Sequence, residues 1–202
     1  MTELLSRLAA GFRATTPLEM AAVLLGLVYV VLAVRRSRYC WIFGGLSSAC
    51  LAGLASRSQL PMQAVLQSFY VLMAFYGFRR WTADRDSGGV RIGWWPWPKH
   101  LIACAAIAVL TLASARWLGS TTTAASPLLD SATTWGSLLA TWLAARGRIE
   151  NWLYWIVIDA ALVVLYAAQG LVFTGLLYLA YLFIAAIGFI TWLRQTCQPT
   201  SS

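Results

Sequence analysis

Glu150-Asn151-Trp152-Leu153-Tyr154-Trp155-Ile156-Val157-Ile158-Asp159 runs on through Ala160-Ala161-Leu162-Val163-Val164-Leu165-Tyr166-Ala167-Ala168 to Gln169 without another charge. The apolar stretch from Asn151 to Gln169 is long enough for a bilayer-spanning helix, which needs about 20 residues. Yet it holds an amide, two indoles and a carboxylate. Lipid penalises such groups, so they pair with one another, line a cavity, or do both. Six more apolar stretches flank it: Leu18 to Val34, Tyr39 to Ser56, Met62 to Phe78, Leu101 to Leu118, Leu128 to Ala145, and Val172 to Leu193. Together they predict an all-α membrane protein with seven transmembrane helices.

Composition agrees. The chain is 60% hydrophobic and 11% charged, against about 25% charged in a typical soluble domain. No segment shows the ten-residue alternation of a transmembrane β-barrel. The net charge of +8 does not imply nucleic acid, because the basic residues sit in the connections, as in a protein anchored at its cytoplasmic face. Alternate connections and the tail carry Arg35, Arg36, Arg38, Arg79, Arg80, Arg85, Arg91, Lys99, Arg146, Arg148 and Arg194, eleven in all; the other side holds Arg7, Arg13, Arg57 and Arg116. The asymmetry predicts an N-terminus outside and a C-terminus in the cytoplasm.

Cys40, Cys50, Cys104 and Cys197 lack metal-ligand spacing, and the lone histidine, His100, falls in a predicted connection. The cysteines read as small apolar core residues, and no metal or cofactor is expected. The N-terminus has no signal-peptide pattern, since Glu3 and Arg7 interrupt it. Leu4, Leu5, Leu8 and Phe12 recur at helical spacing and suit a segment lying flat at the interface.

The spans divide three, one, three. The predicted organisation is an interfacial segment over 1–17, a three-helix bundle over 18–78, a connection and linker helix over 79–127, a second bundle over 128–195, and a tail over 196–202. Trp94-Trp95-Pro96-Trp97-Pro98 in the long connection suits the headgroup layer. A weak repeat supports the division. Tyr70, Gly77, Phe78 and Trp81 recur as Tyr181, Gly188, Phe189 and Trp192, each 111 residues later. Trp41 and Trp155 match at a similar offset of 114. An odd linker helix leaves the two units in the same orientation, a known plan for carriers with a site between parallel repeats.

Polar and aromatic stripes mark the ligand candidates. Asn151, Trp155 and Asp159 stand four apart on one helix face, joined by Trp152. Thr134, Ser137 and Thr141 share a face of the fifth span, with Trp135 beside them, and Gln67 with Tyr70 and Tyr178 with Tyr181 are three apart. Thr, Ser, Tyr and Trp often serve structure alone. Gln67, Asn151 and Asp159 are costlier to explain that way; Asp159 admits two roles, ligand contact or brace between helices. Glu150 with Arg148 reads as an interfacial ion pair. Aromatic faces with amides and hydroxyls suit a small aromatic, polar and cationic metabolite. A phosphorylated one fits poorly, because no Arg or Lys lies deep in a span.

The stretch Thr141-Trp142 through Arg146-Gly147-Arg148-Ile149-Glu150-Asn151-Trp152 to Asp159 resembles the signature of the PnuC family of bacterial vitamin transporters. Gln67-Ser68-Phe69-Tyr70 to Trp81, and Leu176-Leu177-Tyr178 to Arg194, resemble the family's other marked segments. The likeness covers about residues 18 to 195. It implies a SWEET-like 3+1+3 fold of two parallel three-helix bundles joined by a linker helix, in a homotrimer in the bacterial inner membrane. It also implies facilitated diffusion of nicotinamide riboside, trapped by a cytoplasmic kinase; relatives carry thiamine or riboflavin. By motif, the substrate contacts are Asn151, Trp152 and Trp155, then Gln67 and Tyr70, then Thr134, Trp135, Tyr178 and Tyr181. No enzyme is indicated: an ATP-driven pump needs a GxxxxGK[ST] loop, which is absent, and a hydrolase needs an activated nucleophile. A retinal protein needs an intramembrane lysine, and the only lysine is Lys99. A receptor or binding protein without transport is the alternative from another class.

Overall fold

The computed structural model describes residues 15–57, 61–84, 90–121 and 127–196. The expected interfacial segment and the end of the tail, with Cys197, lie outside them. The described residues form seven helices: α1 (Pro17–Val34), α2 (Cys40–Arg57), α3 (Pro61–Ala83), α4 (Trp97–Thr121), α5 (Pro127–Ala145), α6 (Asn151–Ala168) and α7 (Val172–Thr196). Each predicted span lies in its own helix. The largest shift in a start is at α4, which begins four residues before Leu101 and so takes in His100, expected in a connection. Pro98 permits this because a first helical turn has no use for its missing N–H.

Local chemistry sets the ends. At α1, Thr16 and Glu19 form a reciprocal capping box (Glu19 N–H to Thr16 Oγ1, 3.3 Å; Thr16 N–H to Glu19 Oε2, 2.7 Å), with Pro17 in the first position. α1 closes with Ser37 N–H on Leu32 O and Arg36 N–H on Ala33 O, at 2.9 and 3.0 Å. α5 closes the same way, with Arg148 N–H on Leu143 O and Gly147 N–H on Ala144 O, both 2.9 Å. These Schellman closures need a left-handed residue; Arg36 supplies it at φ 56° and Gly147 at φ 65°. Every atom pair in one turn maps to the other by a shift of 111.

Contacts between helices fall into two main groups. α2 packs against α1 and α3, and α6 against α5 and α7. The two groups meet along two seams, α1 with α7 and α3 with α5, while α4 packs on α5.

The surface is inverted relative to a water-soluble bundle. Val157 and Val164 of α6, Leu72 and Phe75 of α3 and Phe183 of α7 point outward, each more than half exposed. Ser47, Gln67, Ser137, Thr141, Asn151 and Asp159 are buried. That is the distribution expected when the solvent is hydrocarbon. By length and apolar composition, α1, α6, α7 and Trp97–Trp117 of α4 are each able to cross a membrane, and Cys40–Ser56 is a shorter apolar helix. α3 and α5 fall short of the sequence expectation, and they carry the buried Gln67, Ser131, Ser137 and Thr141.

Candidate functional site

Four tryptophans hold together the end of the bundle that bears the arginine-rich turns. Trp41 meets Trp81 edge-on, with centroids 5.5 Å apart at 88°, and Trp152 meets Trp192 at 5.5 Å and 90°. Trp81 and Trp192 join the pairs at 6.2 Å. Each outer indole lies on a glycine: a Cβ on Gly77 would enter the Trp41 ring, and one on Gly188 would stand 2.7 Å from Trp152. The inner indoles bridge the units. Trp81 Nε1–H donates to Ala145 O at the end of α5 (3.1 Å), and Trp192 Nε1–H donates to Val34 O at the end of α1 (3.2 Å). Both acceptors are terminal carbonyls without a partner in their own helix. All four equivalences have an offset of 111, which corrects one sequence pairing: the counterpart of Trp41 is Trp152, not Trp155.

Deeper in, α6 and α7 bring predicted site residues together. Asp159 is 4% exposed, and its electrostatic neighbours include the Tyr178 and Tyr181 phenols. Among the described residues no Lys or Arg pairs with it. Tyr178 stacks on Tyr166 (5.3 Å, 12°) and meets Tyr181 at 6.1 Å. Trp155 packs between the tryptophan core and a patch of Ala140, Ile158 and Leu162 that also touches Tyr178. The Tyr181 hydroxyl reaches α1, where a Cβ on Gly26 would be 3.1 Å from it. On the other seam Tyr70 of α3 interacts with Ser137 of α5, and Ser137 is the repeat counterpart of Gly26. Gln67, buried at 7% exposure, is one turn before Tyr70.

The other candidates have their own engagements. Asn151 donates from Nδ2 to Arg148 O at 2.6 Å, and Trp152 is committed to Gly188 and Trp192. Trp135 donates to Ser114 Oγ of α4 at 3.0 Å. Thr141 bonds the Ser137 carbonyl in its own helix, 2.8 Å away, and Thr134 is partly buried on α5. Tyr166 was not anticipated, because its partner lies across a helix turn and its spacing from Asp159 falls on the stripe only after two helical turns.

Glu150 departs from the expected ion pair with Arg148. Its Oε1 accepts from Trp95 N–H (2.5 Å) and from His100 Nε2 (3.2 Å), while Tyr154 O–H reaches His100 Nδ1 (3.0 Å). Arg148 instead donates to Trp94 O at 3.2 Å. The segment before α4 folds back onto the α5–α6 turn, with Gly93 N–H on Gly147 O (3.1 Å) and Ile149 N–H on Gly93 O (3.2 Å). Trp95 is drawn inward between His100 and Trp142, while Trp94 and Trp97 stay exposed as the headgroup reading expects. Among the described residues no three His, Cys, Asp or Glu side chains gather as a metal site.

Comparison with known proteins adds to this geometry. The profile of the nicotinamide mononucleotide transporter family matches residues 16–194. The chain belongs to that family, the PnuC family. Relatives of this transporter family include the riboflavin/roseoflavin transporter RibM of Streptomyces davaonensis, 30% identical over 86% of this chain and 83% of that protein. The nicotinamide riboside transporter PnuC of Escherichia coli is 24% identical over 91% of this chain and 88% of its own. The crystal structure of the vitamin B3 transporter PnuC superposes with a TM-score of 0.71 at 24% identity, covering 95% of this chain and 88% of that one. The family is one of vitamin transporters rather than enzymes.

Proposed function

We propose that the chain carries nicotinamide riboside across the bacterial inner membrane by facilitated diffusion, with a cytoplasmic kinase trapping it as the phosphate. All seven helices cross the bilayer, N-terminus outside, as two parallel SWEET-like units with α4 as the linker, and copies assemble as a homotrimer. The substrate lies between the units, against Trp155, Asp159, Tyr178 and Tyr181 on one side and Gln67, Tyr70 and Thr134 on the other. Asn151 and Trp152 close the arginine-rich end of the site, and Trp135 holds its outer wall against α4.

Asp159 carries this reading. A buried carboxylate with no basic partner is costly, and a pyridinium ring offsets that cost while stacking on indole and phenol faces. The riboside is favoured over its nucleotide because the arginines and the lysine of the described chain sit at helix ends and turns, where they leave a deep phosphate unpaired. The 30% identity to a riboflavin transporter supports a second reading, but the neutral isoalloxazine leaves Asp159 uncompensated. Thiamine, a cation, shares the first argument. Titration of the purified protein with all three vitamins tests the assignment: binding of thiamine or riboflavin without binding of the riboside overturns it. Uptake into liposomes without an ion gradient is expected; strict dependence on a proton gradient defeats facilitated diffusion, and binding without uptake makes the protein a receptor.

A further inference from the structure

The repeat equates α1–α2 with α5–α6 residue by residue, through matching turns and reciprocal tryptophan bonds. Under that offset Trp155 of α6 corresponds to Gly44 of α2, and Ala140 of α5 to Tyr29 of α1. The two seams hold the same pair of sizes in opposite order. A Cβ on Gly44 would lie 2.8 Å from the Tyr29 ring, so the phenol fills the space over the glycine. In the second unit Trp155 packs against the cluster that holds Ala140, Ile158 and Leu162. Each unit thus supplies one large ring at the same depth, from α1 in one case and α6 in the other.

Tyr29 lies beside the residue of its own unit that reaches across the α3–α5 seam. Its electrostatic neighbours are Tyr70 and Cys40, and Tyr70 reaches across the α3–α5 seam to Ser137. Tyr29 is half-buried against the tryptophan core, and its ring meets Trp41 at 5.9 Å. Among the described residues its hydroxyl has no hydrogen-bond partner. A phenol oriented this way offers a face and a free O–H to whatever occupies the interface.

We propose that Tyr29 is a substrate-contacting residue, the first unit's counterpart of Trp155, so that the ligand's ring is held between one aromatic face from each unit. This rests on the carrier reading above and deepens it. The sequence concealed it because the ring and its counterpart occupy non-equivalent positions in the repeat.

The test uses the full-length protein in detergent and in liposomes, with nicotinamide riboside as the probe. Y29L, which removes the ring, is expected to weaken binding about tenfold, the scale of one lost cation–π and stacking contact. Y29F keeps the ring and is expected to stay within a few-fold. The double variant Y29A/G44W moves the ring to α2, copying the Ala140–Trp155 arrangement, and is expected to recover affinity that Y29A loses. Ligand-free melting temperature separates this from packing: a drop in melting temperature with wild-type affinity in the folded fraction overturns the inference. So does Y29L binding within twofold of wild type. Wild-type protein that binds none of the three vitamins overturns both the carrier reading and the role of Tyr29, whereas a vitamin-binding protein indifferent to Y29L overturns only the latter.

Discussion

Replacing Trp192 or Trp81 by phenylalanine removes one indole N–H from the junction between units while keeping an aromatic ring in the cluster. In W192F the Val34 carbonyl loses its donor at 3.2 Å, and in W81F the Ala145 carbonyl loses its donor at 3.1 Å. The net contribution of such a bond is roughly 0.5–1.5 kcal/mol, and the cost of its loss is about 1–3 kcal/mol where water cannot reach the orphaned carbonyl. Because the donors and acceptors belong to different units, the loss falls on closure of the arginine-rich end. A change of about 1–2 kcal/mol raises the open population by a factor of about 5–30. Cys40 reports that opening directly: its side chain is 0% exposed and belongs to the same cluster as the tryptophans. With Cys50, Cys104 and Cys197 replaced by alanine, maleimide labelling of Cys40 under native conditions is expected to accelerate by that factor in either variant. The repeat further requires W81F and W192F to agree within about twofold, since the two bonds have near-equal lengths and acceptors of the same kind. Unchanged labelling, or acceleration in only one variant, refutes the reciprocal junction.

Three further outcomes follow from contacts already described. G188A is expected to lower the melting temperature by the equivalent of about 1–3 kcal/mol, because its Cβ meets the Trp152 indole, and G77A is expected to match it. G147A is expected to destabilise by about 1–3 kcal/mol, since it adds left-handed strain to a Cβ at 2.6 Å from Arg91 O; R36G at the equivalent turn should be neutral or gain up to about 1 kcal/mol, so melting temperatures moving in the same direction contradict the turn assignment. E150A, which strands the Trp95 N–H and His100, is expected to cost about 1–3 kcal/mol, with E150Q retaining part of that through its carbonyl; equal melting of E150A and wild type removes the clamp from the account.

Much of this architecture was legible because membrane helices declare themselves locally. Apolar runs and arginine-bearing turns located all seven helices, and the shift of 111 was readable from Tyr70 and Tyr181, Gly77 and Gly188, and Trp81 and Trp192. Trp41 was misassigned because Trp152 and Trp155 lie within one helical turn and share a face. Only the glycine on the neighbouring helix decides between them, since Gly188 accepts an indole where a larger residue excludes it. Glu150 was misread for a different reason. Its nearest basic neighbour in sequence is Arg148, but the Trp94–Pro98 segment returns from more than fifty positions away to claim both residues, and no local spacing encodes that return. Asp159 was singled out through the expense of a carboxylate in lipid, a signal that needs no partner to be visible, and Tyr178 and Tyr181 through their spacing, whereas Tyr166 gave neither signal. Tyr29 gave no such signal, because a lone tyrosine in an apolar helix is unremarkable until the glycine beneath it is placed.

The parallel bridge between Gly93 and Arg148 has a mechanical consequence. On one side of the junction the α5–α6 turn is fastened to the start of α4 through Gly93, Trp94, Trp95 and His100. The α1–α2 turn, its twin in the Schellman closure, has no comparable strap among the described residues. The start of α4 and the α5–α6 turn are therefore joined at the arginine-rich end, and α1 to α3 meet the other helices there through the Trp81 and Trp192 hydrogen bonds. Counted by what is bolted to what, the chain divides three plus four. On the carrier reading proposed above, the strap makes α1–α3 the unit expected to move more, with Asp159 on the strapped side.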